Sequence, residues 1–151
     1  MHALLLALLT VVGLANPQAG PAGPANPFVG HWTSVNVMVD FVVVGDAVTI
    51  TEGFVGQVGS GRQTFQTDGK EHDELMPGVV ARWRGARILE IVVMKKIKLN
   101  GQVERVTYEV VTYEVSPDGK TLTVSRSGVF DSLREVEAND VRGAGIVYHR
   151  K

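Results

Sequence analysis

Cysteine is absent from the 151 residues of this chain. That absence excludes thiol catalysis, thiolate metal sites and disulfide bridges in any compartment. Aromatics are scarce, at 7%, so each one carries unusual weight in a core. Neither sign of charge dominates, because 15 Lys+Arg face 16 Asp+Glu for a net charge of -1 at pH 7. Polyanion binding needs a cationic excess, so nucleic acid and anionic membrane surfaces are not expected partners. Leucine is scarce beyond residue 19, where only five occur. What is present, 44% hydrophobic and 21% charged residues, suits a folded domain and is too apolar for a disordered chain. The length fits one domain with a short processed segment.

The other six of the eleven leucines lie in Met1–Ala15, MHALLLALLTVVGLA. This apolar run stops at Asn16-Pro17, short of the roughly 20 residues a membrane span requires. A short apolar core followed by small residues fits a secretory signal cleaved near Ala15 or Ala19. The competing reading is a buried N-terminal helix, since no Lys or Arg precedes the run. The expected organisation is a signal peptide at 1–19, a Pro/Gly/Ala linker at 20–27 and a domain at 28–151. The mature protein is then secreted or periplasmic, with no membrane insertion.

The domain is rich in valine; the chain holds 26 Val and 10 Thr. β-branched side chains are stiff and pack well on a pleated surface, so strands are favoured. Val48, Ile50 and Phe54 alternate with Thr49, Thr51 and Gly53, and Leu122 and Val124 alternate with Thr121, Thr123 and Ser125. Leu89, Ile91, Val93, Ile97 and Leu99 share one parity of a long strand. Turn signals at Gly45-Asp46, Asp68-Gly69, Gly85, Asn100-Gly101 and Pro117-Asp118-Gly119 separate these runs. The pattern predicts strands near 32–44, 47–55, 62–67, 70–75, 79–84, 87–99, 102–115, 120–127 and 145–150. Short connections force antiparallel neighbours, and a meander of this length closes into a barrel to remove its edges. The expected fold class is all-β, an antiparallel up-and-down barrel of about 8–10 strands. Asp131–Asn139 admits either one or two helical turns capped by Asp131 or a strand.

Val106-Thr-Tyr-Glu-Val110 is followed at once by Val111-Thr-Tyr-Glu-Val115. Five is odd, so a regular strand turns the second copy to the opposite face. Either a bulge absorbs the extra residue, or the strand end stands clear of the barrel with both faces partly covered. The copy is either a slip that lengthened a hairpin or a Tyr108/Tyr113 surface that meets a partner.

Gly30-His31-Trp32 resembles the Gly-x-Trp of lipocalins and related calycin barrels. Val115-Ser-Pro-Asp-Gly-Lys-Thr-Leu-Thr-Val124, Thr67-Asp68-Gly69-Lys70-Glu71-His72 and the terminal Val147-Tyr148-His149-Arg150-Lys151 resemble segments of small secreted bacterial lipocalin-like proteins. The doubled Val-Thr-Tyr-Glu-Val departs from that pattern. The resemblance implies a barrel of eight to ten strands with a small-molecule cavity and no catalytic residues. It also implies a closed-end plug of Gly30 and Trp32, with a last-strand arginine over the indole face; Arg150 fills that role, and Arg142 competes for it.

Enzyme motifs are not met. Gly119-Lys120-Thr121 resembles the end of a phosphate-binding loop, but Glu114 stands where its first glycine belongs. Gly53, Gly56, Gly59 and Gly61 lack a βαβ context and read as a loop or barrel lip. No Gly-x-Ser-x-Gly elbow occurs, and His31, His72 and His149 lack metal-ligand spacing. No cofactor or metal is expected, and the chain is not read as an enzyme. Two charges do stand where the pattern wants apolar groups. Glu52 shares the face of Val48, Ile50 and Phe54, and Arg126 that of Leu122 and Val124. Each must reach the barrel mouth, the other charge or a ligand. Arg126 can anchor a ligand carboxylate, with Trp83 and Tyr108 as aromatic walls. Two functions follow: a barrel binding a small apolar or amphipathic molecule, or a ligand-free interaction or inhibitor module acting through its surface.

Overall fold

The computed structural model describes residues 26–56, 60–72, 78–138 and 145–151. The expected signal peptide, its cleavage region and Arg142 lie outside the described residues. Ten strands form one sheet: β1 (Gly30–Thr33), β2 (Val37–Val44), β3 (Ala47–Phe54), β4 (Ser60–Gln66), β5 (Asp68–Glu71), β6 (Val79–Trp83), β7 (Ile88–Leu99), β8 (Gln102–Val115), β9 (Thr121–Arg126) and β10 (Ile146–Arg150). One short helix, α1 (Leu133–Ala138), sits between β9 and β10. Around the sheet the order is β4-β3-β2-β1-β10-β9-β8-β7-β6-β5, with every ladder antiparallel. β4 lies against β6, which nearly closes the barrel. The all-β, up-and-down class read from valine and turn spacing therefore holds.

Three boundaries differ from expectation. The run 32–44 is two strands, broken by Ser34-Val35-Asn36, where Ser34 N donates to Val37 O at 2.9 Å. Val35 continues the apolar alternation, which hid the turn, yet it is 91% exposed. Asp68-Gly69 belongs to β5, and the chain reverses instead at Thr67, whose N and Oγ1 each donate to Asp46 O at 2.8 Å. The ambiguous segment beginning at Asp131 is helical over Leu133–Ala138, but its cap is Ser132. The Ser132 Oγ accepts from Glu135 N at 3.2 Å, and the Glu135 carboxylate accepts from Asp131 N at 2.9 Å. This reciprocal arrangement is a close variant of a capping box.

The two pentapeptide copies run along β8 with no bulge between or within them; the one register shift of the β7–β8 ladder precedes them, where Ile97 and Lys98 pair Arg105 and Val103 and leave Glu104 of β8 as the extra residue. Neither alternative is realised whole: both faces are covered, as the second has it, but the copies lie in the barrel wall and do not stand clear of it. Val111, Tyr113 and Val115 of the second copy face the barrel core. Tyr108 and Val110 of the first copy face outward, into a smaller cluster with Val92, Val80, Phe130 and Val136 of α1. The helix is the lid of that outer cluster. Glu90 is also on the outer wall and is only 1% exposed. Arg82 Nη2 and Arg84 Nε each lie 2.6 Å from its carboxylate oxygens, which supplies the pairing a buried charge requires.

Candidate functional site

The antiparallel order gives the barrel two distinct ends. At one end lie the turns at 45–46, 84–87 and 116–120 together with the entering N-terminal segment. This end is plugged. Asn26 Oδ1 accepts from Phe28 N at 3.0 Å, a side-chain turn that drives Phe28 inward. Trp32 Nε1 then donates to Phe28 O at 2.9 Å. Phe28 and Trp32 are both 0% exposed. The Arg150 guanidinium carbon stands 4.5 Å from the Trp32 ring centroid, and its Nη2 donates to Pro27 O. Gly30 has φ of +143°, open to glycine, and lets the chain turn from the plug into β1.

Above the plug, aromatic rings fill the interior. Phe28 meets Phe41 edge-on at 5.4 Å between centroids and Trp83 at 5.2 Å, and Phe41 meets Tyr113 at 5.4 Å. Val48 and Ile50 are buried in the same core. Trp83 thus packs beside the plug and is separated from Arg126, contrary to the shared wall expected for them. Tyr108 is not inside the barrel at all. It borders an outer-wall cavity of about 120 Å³, together with Glu71, Gly78, Val80, Val92 and Met94. The Glu71 carboxylate accepts from Gly78 N there at 2.5 Å. Tyr113, being buried, is no part of an exposed tyrosine surface. The misassignment has one cause: parity places side chains on a face, but only register places them along it.

Toward the far end burial falls off. Val37, Val79, Val93, Val111 and Val124 are only partly buried against the core. Glu52 and Arg126 are exposed at the ends of their strands, while Tyr113 and Tyr148 are buried. Tyr113 Oη donates to the Glu52 carboxylate at 2.8 Å, 61 residues away in sequence. Burial, then the Glu52 charge and this hydrogen bond, push the Tyr113 phenol far above its ordinary value, with Arg126 opposing. Burial and Glu52 likewise raise Tyr148, again against Arg126. Glu52 and Arg126 therefore act on the same two phenols, and sequence parity had located both charges. It missed Tyr148 as a member of the group, although its place on the last strand followed from the β9–β10 register. Phe54, assigned to the same wall, stands on the rim and is 55% exposed.

His31 and His72 each pair with a single carboxylate. His31 Nδ1 bonds to Asp40, and His72 Nε2 lies 2.9 Å from Asp68 Oδ1. That bond is the main reason the Asp68 carboxyl sits below its usual range. Among the described residues no group of three or more metal-ligating side chains occurs. Together, the fold and this site define an antiparallel β-barrel with one plugged end, compatible with the lipocalin-like architecture. Compared with protein-family models, curated proteins and solved structures, the chain matches none.

Proposed function

We propose that this chain is an exported lipocalin-like barrel that takes a small amphipathic molecule at its far end. The observation that carries the reading is the half-buried valine ring around Glu52, Tyr113, Tyr148 and Arg126. Ligand sites combine mostly apolar walls with a few converging polar groups, and this end has that composition. An apolar body rests on the valines above Tyr113. An acidic head pairs with Arg126, whose planar guanidinium holds a carboxylate through two parallel bonds. The ligand is short, because the aromatic column already occupies the plugged half. Native mass spectrometry of protein purified from its own host tests this directly, with a retained mass expected. Titration with a fluorescent medium-chain carboxylate should show saturable binding that Arg126→Gln weakens at least tenfold. Binding unchanged by that substitution overturns the assignment. The filled lower interior favours the second reading, a module that works through its surface.

A further inference from the structure

The exposed apolar side chains concentrate at the far end. Val35 in the β1–β2 turn, Phe54 and Val55 closing β3, and Ile146 opening β10 are all exposed. They form one rim along β3, β2, β1 and β10, which are consecutive in the sheet. The backbone ties the rim together, with Val55 N donating to Asn36 O at 3.0 Å. An apolar rim of this kind marks an interaction surface.

Across the mouth stands a different feature. β6 pairs with β7 no farther than Val93, and β9 pairs with β8 no farther than Val111. Residues 95–106 therefore project past the barrel as a two-stranded ribbon, closed by Asn100 and Gly101 at φ of 50° and 81°. The ribbon carries Lys95, Lys96, Lys98 and Arg105 against Glu104 alone. Lys95 pairs with Glu109 and Arg105 with Asp131. Lys96 and Lys98 are exposed and have no acid partner among the described residues. Between them lies Ile97, also exposed, as is Val103 opposite Lys98. Chain-wide charge balance conceals this local excess.

We propose that the far end docks on an anionic lipid surface, with Val35, Phe54, Val55 and Ile146 in the headgroup zone and Lys96 and Lys98 on the lipid phosphates. The sign of the ribbon argues against a second copy, which would bring the same lysines to the contact. The layout argues against an acidic protein. Protein interfaces gather apolar groups at a centre and charges at the rim, whereas here the apolar rim on β3, β2, β1 and β10 and the lysines on β7 stand apart across the mouth. A bilayer interface accepts both, because apolar side chains enter the headgroup boundary while lysines meet the phosphates. The contact needs no ligand in the barrel, so it stands apart from the binding reading above.

Lysines on unpaired strand edges also discourage edge-to-edge pairing. The Lys96→Glu/Lys98→Glu variant keeps a charge on the edge while reversing its sign, and so separates the two roles. The full chain is sedimented with vesicles of phosphatidylcholine alone and of equal parts phosphatidylcholine and phosphatidylglycerol, at low and high salt. All forms carry the same N-terminus, so differences report the far end. We expect preference for the anionic vesicles, lost at high salt. The double lysine variant should partition at least about thirtyfold more weakly, and Phe54→Asp should weaken binding while circular dichroism stays unchanged. Equal binding to both vesicle types, or a lysine variant that binds like the parent, overturns the proposal. A Phe54→Asp variant that converts a dimer to a monomer in analytical ultracentrifugation overturns it as well, by assigning the rim to a second copy.

Discussion

Tyr108 and Tyr113 hold the same place in two consecutive copies of Val-Thr-Tyr-Glu-Val and lie on opposite faces of β8, Tyr113 in the barrel core and Tyr108 under α1. A duplication of five residues in a regular strand thus supplies two separate apolar clusters. Because the clusters share no side chains, Tyr108→Ala and Tyr113→Ala should add, with a coupling below about 0.5 kcal/mol. Tyr113→Ala should be the costlier change, since Tyr108 is only partly buried. Urea melts of the two single variants and the double variant check this, and a large coupling would mean that the outer cluster props up the barrel.

Trp32 is the keystone of the plugged end. Its truncation to alanine should cost about 3–5 kcal/mol, a large share of the roughly 5–15 kcal/mol available to a small domain. Arg150→Ala removes the cation over the ring and should cost about 0.5–2 kcal/mol. Arg150→Lys should recover only part of that loss, because the bond to Pro27 O and the planar stacking both need the guanidinium. Denaturant midpoints at constant m-value give the order expected: Trp32→Ala below Arg150→Ala, with Arg150→Lys nearest to the parent.

Stability should fall at alkaline pH through Tyr113. An unfolded tyrosine ionises near pH 10, whereas burial and Glu52 hold the folded phenol protonated well above that. The unfolded state therefore releases its proton first. Tyr113 contributes its full share below about pH 10, and that share declines as pH rises further, by at most about 1.4 kcal/mol per pH unit. Tyr148 acts in the same direction. Tyr113→Phe should flatten the decline between pH 9 and pH 11, measured by urea melts, and should remove one late-titrating phenol from the ultraviolet absorbance. An unchanged slope would show that Tyr113 ionises normally in the fold.

The Arg82–Glu90–Arg84 group should respond asymmetrically. Both arginines reach solvent, at 27% and 39% side-chain exposure, while the Glu90 side chain is at 2%. Deleting Glu90 frees two guanidiniums that can turn outward into water. Deleting both arginines strands a carboxylate in the wall, at a cost of about 3–5 kcal/mol. Arg82→Ala/Arg84→Ala should therefore lower the thermal midpoint much more than Glu90→Gln does. Equal losses would show that hydrogen bonding, and not stranded charge, governs the site.

Valine alternation and turn spacing made the fold class legible because each strand announces its own buried face. Boundaries were legible only where a turn residue interrupted the pattern. Val35 broke the rule by continuing the alternation through an exposed turn. The plug residues were named through their resemblance to a family pattern, and Arg150 stands over the Trp32 ring. For the candidate site, parity located Glu52 and Arg126 but could not tell Trp83, Val48 and Ile50 at depth from residues at the mouth. Nor could it decide the face of Tyr108, which turned on whether a bulge fell between the two copies in β8. Both failures concern register, which long-range pairing sets and local sequence does not encode.

The barrel is a ring fastened in two unlike ways. Between β1 and β10 the chain has no covalent link, and a ladder joins its first and last strands. Between β4 and β5 no ladder exists among the described residues, and the peptide through Thr67 does the joining. Connectivity along the backbone and connectivity through hydrogen bonds thus break at different points on the circumference. Linking Lys151 to the residue before β1 and opening the chain at Thr67 would bring both breaks to one place. The product would be a sheet with two true edges, free to uncurl or to pair with another molecule.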